Sequence, residues 1–376
     1  MISKQRITVI VGTRPELIRL SAILKRLDEV FDLRLIHTGQ NFDPTLSQVF
    51  IEELQIREPD KFLNLNSETL GTFLGQMFME VERELQEFPP AALVILGDTN
   101  SALSGIIAKR RGIPVYHLEA GNRSFDPNVP EEINRKIIDH FSDFNLAYTS
   151  VARANLLREG LHPRNSIVIG SPLYEVLAGS ANQIEKSNIL KVLNIHKGNY
   201  FLVSAHRQEN IDNPIRLKTL VDSLNKLVST YGIPVICSVH PRMKSKTDAL
   251  KLEFNSLVEL HPPFGFFDYN KLQINSRLVL SDSGSISEES AILGFRAITI
   301  RDSMERPEAL ESASIVLAGI EANGIIRAIS ITESDSSKPC PPAEYLIENT
   351  TERVVKFIAS TIQQHGFWSG IRSKHQ

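Results

Sequence analysis

The chain has 376 residues, 42% hydrophobic and 23% charged, which is enough apolar material for two cores. Its 41 basic residues stand against 44 acidic ones, a net charge of −3, and this excludes a general electrostatic draw toward nucleic acid or an anionic membrane. Two cysteines, Cys237 and Cys340, exclude a disulfide scaffold and a four-thiolate zinc site.

The start carries Lys4 and Arg6, a short apolar stretch and then Arg14, too brief a pattern for a signal peptide. No apolar run approaches the roughly 20 residues that span a bilayer. The expectation is a soluble, cytoplasmic protein that binds neither nucleic acid nor membrane. Arg6–Val11 (RITVIV), Leu33–His37, Ala92–Leu96 (ALVIL) and Pro114–Leu118 read as buried strands. Between them, Pro15–Val30 and Thr69–Phe88 repeat apolar residues at helical spacing. Pro15 and Glu16 suit a helix first turn, where proline is tolerated and a carboxylate meets the dipole. The pattern then restarts. Tyr200–Ser204, Pro234–Ser238, Arg277–Ser281 and Ala297–Ile300 read as strands, with helices near Asn213–Thr230 and Ser285–Leu293.

Repeated strand–helix alternation predicts parallel sheets covered on both faces, and two sets predict two doubly wound α/β domains. The polar stretch Ala178–Lys197, after Gly170–Ser171–Pro172, marks the boundary. The expected division is residues 1–172, 173–349 and a final helical segment 350–376 that finishes the second domain or crosses back to the first. Ligands of open α/β sheets bind at the carboxyl ends of strands, so two facing domains would share one cleft.

The residues just past those strand ends are unusually polar. In the first half they are Gly12-Thr13-Arg14-Pro15-Glu16, Gly97-Asp98-Thr99-Asn100, His117-Leu118-Glu119-Ala120-Gly121-Asn122-Arg123 and Val129-Pro130-Glu131-Glu132. In the second half they are Ser204-Ala205-His206-Arg207, His240-Pro241-Arg242, Ser281-Asp282-Ser283-Gly284-Ser285 and Glu305-Arg306-Pro307-Glu308. Each alone has an ordinary reading. Asp98 to Asn100 would cap a helix, Glu131 and Glu132 would pair with Arg135 and Lys136, and Ser283 to Ser285 would turn into one. Their co-location at successive strand ends is what points to a site. Small residues Ser283, Gly284 and Ser285 open a helix whose free amides favour an anion. Glu288 and Glu289 follow on that helix, where a carboxylate suits ribose hydroxyls. Arg14, His206, His240, Arg242 and Arg306 supply cations or donors, a set that suits a nucleoside diphosphate. No G-x-G-x-x-G follows the first strand, no Walker A sequence occurs, and no histidine has zinc-site spacing. Asp98, Glu119 and Glu131 are left as carboxylates for proton transfer.

Taken in order, these motifs resemble the non-hydrolysing UDP-N-acetylglucosamine 2-epimerases over nearly the whole chain. The carriers are G-T-R-P-E at Gly12–Glu16, G-D-T at Gly97–Thr99, H-x-E-A-G-x-R at His117–Arg123 and P-E-E-x-N-R at Pro130–Arg135. They continue with His206–Arg207, S-D-S-G-x-I-x-E-E at Ser281–Glu289 and E-R-P-E at Glu305–Glu308. The resemblance implies two Rossmann-like domains facing a central cleft in a GT-B-like arrangement, a last helix packed on the first domain, and a homodimer. It implies inversion at C2 of a UDP-N-acetylhexosamine through a 2-acetamidoglycal, with no cofactor and no metal.

By resemblance Asp98, Glu119 and Glu131 are acid/base residues, and His206 is an essential histidine near the diphosphate. Arg14, Arg19, His240, Arg242, Ser283, Gly284, Ser285, Glu289 and Arg306 hold the UDP or the sugar. Arg19 replaces the family's usual lysine. His37-Thr38-Gly39-Gln40-Asn41 stands where a glutamine–histidine pair serves an allosteric site, so the resemblance carries no expectation of activation by a second substrate molecule. Asn122–Asp126 and Ser204–Asp212 look like the branch that turns UDP-2-acetamido-2,6-dideoxy-L-talose into UDP-N-acetyl-L-fucosamine, with the UDP-N-acetylglucosamine to UDP-N-acetylmannosamine reaction as alternative. Other readings are a hydrolysing epimerase, a glycosyltransferase of the same architecture, and an inactive nucleotide-sugar binder.

Overall fold

A computed structural model describes residues 4–40, 44–66, 68–239, 241–335 and 341–370, with backbone only at 44–48, 208, 209 and 241. The chain divides into two compact units, Met1–Val176 with Glu344–Gln376, and Leu177–Ala343.

Unit 1 is built on a seven-stranded sheet. Its strands are β1 (Arg6–Val11), β2 (Asp32–His37), β3 (Lys61–Phe62), β4 (Ala92–Leu96), β5 (Val115–Leu118), β6 (Phe144–Ala147) and β7 (Ser166–Val168). They lie in the order β3-β2-β1-β4-β5-β6-β7, every pair parallel. Both faces of such a sheet are covered, so β4 and β5 are buried at every position, and β4 reads as a continuous apolar run. Ile10, Leu93 and Ile95 pack with Phe73, Met77 and Val81 of the helix Leu70–Glu87. A fully buried side chain of this size contributes about 1.5–3 kcal/mol.

Unit 2 repeats the plan. Its strands are β8 (Phe201–Ser204), β9 (Val235–Ser238), β10 (Val258–His261), β11 (Leu278–Ser281), β12 (Ala297–Thr299) and β13 (Val316–Leu317). The order is β10-β9-β8-β11-β12-β13, again all parallel. Each sheet therefore reverses its direction of winding once. The switch falls between β1 and β4 in unit 1 and between β8 and β11 in unit 2. Loops diverge there and leave a crevice at the carboxyl ends of the strands.

The first crossing differs from the sequence expectation by a few residues, because the short helix Leu173–Gly179 straddles it. The return begins at Glu344 rather than at 350. The Glu344 carbonyl accepts the Ser171 N–H, and its carboxylate accepts Ser150 N and Oγ, so this residue is already tied into unit 1. The helix Thr350–Thr361 then packs on α1 (Arg14–Val30). Thr361 Oγ1 donates to the Phe357 carbonyl and accepts from the buried Tyr116 hydroxyl at 2.7 Å. Phe357 meets Phe144 edge-on, with ring centroids 5.5 Å apart.

Candidate active site

At the switch point of unit 1, three loops close on Gly12. A Cβ there would lie 1.9 Å from Ser101 Oγ and 2.5 Å from Thr38 Oγ1, so only glycine allows the approach. Thr38 Oγ1 and Ser101 Oγ are 2.7 Å apart, and Gln40 Oε1 accepts both the N–H and the hydroxyl of Ser101. Thr13 is the N-cap of α1, and Glu16 at N3 reaches back in a capping box. Glu16 Oε2 accepts Gly12 N at 3.0 Å, Thr13 N at 2.7 Å and Thr13 Oγ1 at 2.8 Å; its Oε1 accepts Thr99 Oγ1 at 3.1 Å. Burial raises this carboxyl to about pH 7, against the opposing pull of those hydrogen bonds.

The three predicted carboxylates stand nearby on successive elements. Asp98 follows β4, is half-buried, and pairs with Arg135 Nη2 at 2.6 Å. Arg135 is buried, one turn beyond Glu131 on the helix Pro130–Phe141, and its Nη1 also holds Glu132 at 3.0 Å. Asn134 on the same helix donates to the Asp98 carbonyl and to Asn100. Glu131 is half-buried, and its side chain makes no hydrogen bond or ion pair with another described residue. Glu132 is spent on structure: burial pushes its acid strength down, but the Ser124 amide and Arg135 outweigh that and hold it below the usual carboxylate range.

Glu119 follows β5 at a φ of +68°, a left-handed conformation that costs a non-glycine residue about 1–2 kcal/mol. Such strain persists only where the surroundings over-determine it. Here Arg19 Nε lies 3.5 Å from one Glu119 oxygen, and Asn122 Nδ2 lies 3.5 Å from the other. Arg19 itself is buried, with its guanidinium 5.6 Å from the Tyr148 ring centroid. Beneath lies a charged plank, buried except at its far end, Glu159. His117 joins the Gly97 carbonyl through Nε2 and Asp139 through Nδ1, both at 2.9 Å. Asp139 pairs with Arg123, which grips Glu159 with two nitrogens. Arg14 is half-buried at the start of α1, over the Phe50 ring at 4.8 Å.

In unit 2, Asp282 knits the switch point. It is fully buried and accepts His206 N, Arg207 N and Asn210 Nδ2, while its carbonyl accepts Arg207 Nε. The loops after β8 and β11 are thereby one structure, and they place His206 beside Ser283–Ser285. Ser285 Oγ and Gln273 Nε2 both donate to Glu289, at 2.7 and 2.5 Å. A Cβ on Gly284 would come within 2.2 Å of Glu305 Oε1 and 2.9 Å of Arg306 Nη1. Arg306 is buried and bonds the Gly284 carbonyl, Glu305 and Glu288, and Arg301 completes the chain on Glu305. This geometry makes Arg306 a holder of the Ser283–Ser285 turn. Arg242 is exposed and paired with Asp212 at 2.6 Å, and His240 lies outside the described residues.

The family description "UDP-N-acetylglucosamine 2-epimerase" matches residues 25–359. The chain belongs to the UDP-N-acetylglucosamine 2-epimerase family. A Methanocaldococcus jannaschii relative of that name is 37% identical over 335 residues, 87% of this chain and 92% of the relative. The solved UDP-N-acetylglucosamine 2-epimerase of Rickettsia bellii superposes with a TM-score of 0.90 at 38% identity, covering 96% of this chain and 98% of that one. A Methanocaldococcus jannaschii structure, solved in complex with UDP-GlcNAc and UDP, gives 0.88 at 35% identity, covering 94% and 99%. Likeness to Phytolacca americana UGT2, at 13% identity and a TM-score of 0.57, adds that the fold is GT-B-like.

As a member of this epimerase family the chain is an isomerase with two parallel-sheet Rossmann-like domains. Within that frame, reading the sequence of this epimerase missed Arg135, Asn134, Asp139, Asp282 and the burial of Glu16 as parts of the site. Arg135 and Asp282 lay inside quoted motifs, and their charge beside predicted site residues was the available signal. Nothing local marked Gln273 or Glu159. Among the described residues no helix is long and apolar enough to cross a membrane.

Proposed function

We propose that this epimerase inverts C2 of UDP-N-acetylglucosamine to give UDP-N-acetylmannosamine. The supporting observation is the trio of carboxylates at the strand ends of unit 1: Asp98 paired with Arg135, Glu119 strained and backed by Arg19, and Glu131 with its side chain uncommitted among the described residues. It occurs in a chain similar over nearly its whole length to a protein solved with UDP-GlcNAc and UDP. The names of the relatives favour the parent sugar over the 6-deoxy-L-talo sugar that the branch motifs implied.

In this reading the C1–O bond to UDP breaks as a carboxylate takes the C2 proton, and a C1=C2 double bond forms. The resulting 2-acetamidoglycal receives a proton on the opposite face of C2, and a UDP oxygen adds back to C1. Atoms and charge balance with no oxidant. Departure of UDP gives the anomeric carbon oxocarbenium character and acidifies C2–H, so cations and amides on the diphosphate promote proton transfer as well as leaving. Unit 2 supplies that anion site through His206, the Ser283–Ser285 turn and Glu289 for the ribose, with Arg14, Arg19, His240 and Arg242 as further contacts of UDP or sugar. Asp98, Glu119 and Glu131 divide removal and return of the proton, at a typical contribution of 10²–10⁴-fold each. The assembly is a homodimer in this reading.

Proton NMR in deuterated water, with UDP-N-acetylglucosamine and the 6-deoxy-L-talo sugar nucleotide in parallel, tests it. The expected result is deuterium at C2 and intact epimers from the first. Exchange from the second alone transfers the assignment to the 6-deoxy branch. Free amino sugar as main product makes the enzyme hydrolysing, and no exchange with either overturns the epimerase reading.

A further inference from the structure

We propose that Glu16 is a positioning residue for proton transfer: through the Thr99 hydroxyl, its carboxylate sets where the neighbouring Asp98 stands. The inference rests on the epimerase reading above and adds to it a residue that touches no substrate.

Glu16 is 1% exposed, and its partners are hydrogen-bond donors throughout. Three of the four bonds close the first turn of α1. The fourth leaves the element and reaches Thr99, 83 residues away in sequence and next to Asp98. An ionised Glu16 can only accept, so the Thr99 hydroxyl donates to Oε1 while its own oxygen accepts the Ala102 N–H at 3.3 Å. A proton added to Glu16 has no room on Oε2, where three donors converge, and on Oε1 it faces the proton of Thr99. The tie therefore holds while Glu16 is ionised and is reversed or broken when it is not. Burial brings that change to about pH 7.

The charged groups on the elements that meet here are Arg14 and Arg19 of α1, His37 ending β2, Asp98 after β4 and Glu119 after β5. Burial lowers His37 to about 4, so it is neutral across this range. The helices Pro44–Glu53 and Thr350–Thr361, which also pack on α1, bring Glu52, Glu53, Glu352, Arg353 and Lys356. None of these makes an ion pair with Glu16.

The test compares wild type, Glu16→Gln and Thr99→Val between pH 5.5 and 9, reading kcat, KM and amide hydrogen exchange of segment 97–104. Wild-type kcat should rise through pH 7. Both variants should lose tenfold or more in kcat at pH 8 with KM within twofold, and Glu16→Gln should show no inflection near 7. Protection of segment 97–104, corrected for intrinsic exchange, should fall below pH 7 in wild type and stay flat in Glu16→Gln. Wild-type kcat and protection in both variants would overturn the proposal. Thr99→Val leaves the α1 cap intact, so the test survives if Glu16→Gln fails to fold. If wild type exchanges no C2 proton, the epimerase reading falls, and amide exchange alone then decides the Glu16–Thr99 tie.

Discussion

Glu16 carries opposite demands at the scale of one residue. Its folded-state value, near 7, lies above the ordinary 4.5, so the folded chain keeps a proton that the unfolded chain releases between those values. The stability it contributes is complete below pH 4.5 and is lost as pH rises to 7, a change of roughly 3 kcal/mol. Glu16→Gln should flatten that slope in thermal unfolding followed from pH 4.5 to 8; an unchanged slope would mean another group is responsible. The same ionisation that weakens the fold supplies the acceptor that Thr99 needs. Glu119 shows the related trade-off in backbone form, a left-handed φ held by Arg19 and Asn122. Asp98→Asn, Glu119→Gln and Glu131→Gln should each slow C2–H exchange by about 10²-fold or more, measured by deuterium uptake. Wild-type exchange in all three would remove the acid/base assignment.

Elements were legible where they were long or wholly apolar. α1 and the helix Leu70–Glu87 start and stop within a residue of their periodicity, and β4 was read in full. The sequence reading did not name β3, β6, β7, β10 or β13, which are two to four residues long and include Lys61, Asn145, Ser166 and Glu259. Strands that short have no alternation to detect. The turn Ser283–Ser285 was recognised as an anion site, but what holds it was not. Arg306, Glu305, Glu288 and Arg301 form a buried chain of alternating charge behind Gly284. Arg306→Ala would remove the guanidinium that pairs with the fully buried Glu288, at a cost of about 3–5 kcal/mol by denaturant unfolding. Arg306→Lys should not restore it, because a point charge cannot reach Glu288, Glu305 and the Gly284 carbonyl together. Full rescue by lysine would count against the structural role.

At the scale of the whole molecule, the chain leaves unit 1, builds unit 2 and returns to finish unit 1. The returning helix Thr350–Thr361 buries Val354, Val355 and Ile358 and covers Tyr116 and Phe144. Ending the chain at Asn349 should therefore destabilise unit 1, seen as an early transition in thermal unfolding. A single unshifted transition would show that the helix adds little.

By itself the sequence determined the class of fold, the two parallel sheets and the strand ends where chemistry belongs. Those follow from local period and from loop composition, which neighbouring residues carry. Only the tertiary structure decided what each charge is for. Arg135 faces Asp98, Asp282 joins two loops, and Arg306 is committed to buried glutamates, because ion pairing and desolvation depend on distances between residues far apart in the chain. Glu131 and Glu132 make the point most sharply. They are adjacent and chemically alike, yet the fold ties one carboxylate to Ser124 and Arg135 and leaves the other carboxylate without a hydrogen bond or ion pair among the described residues.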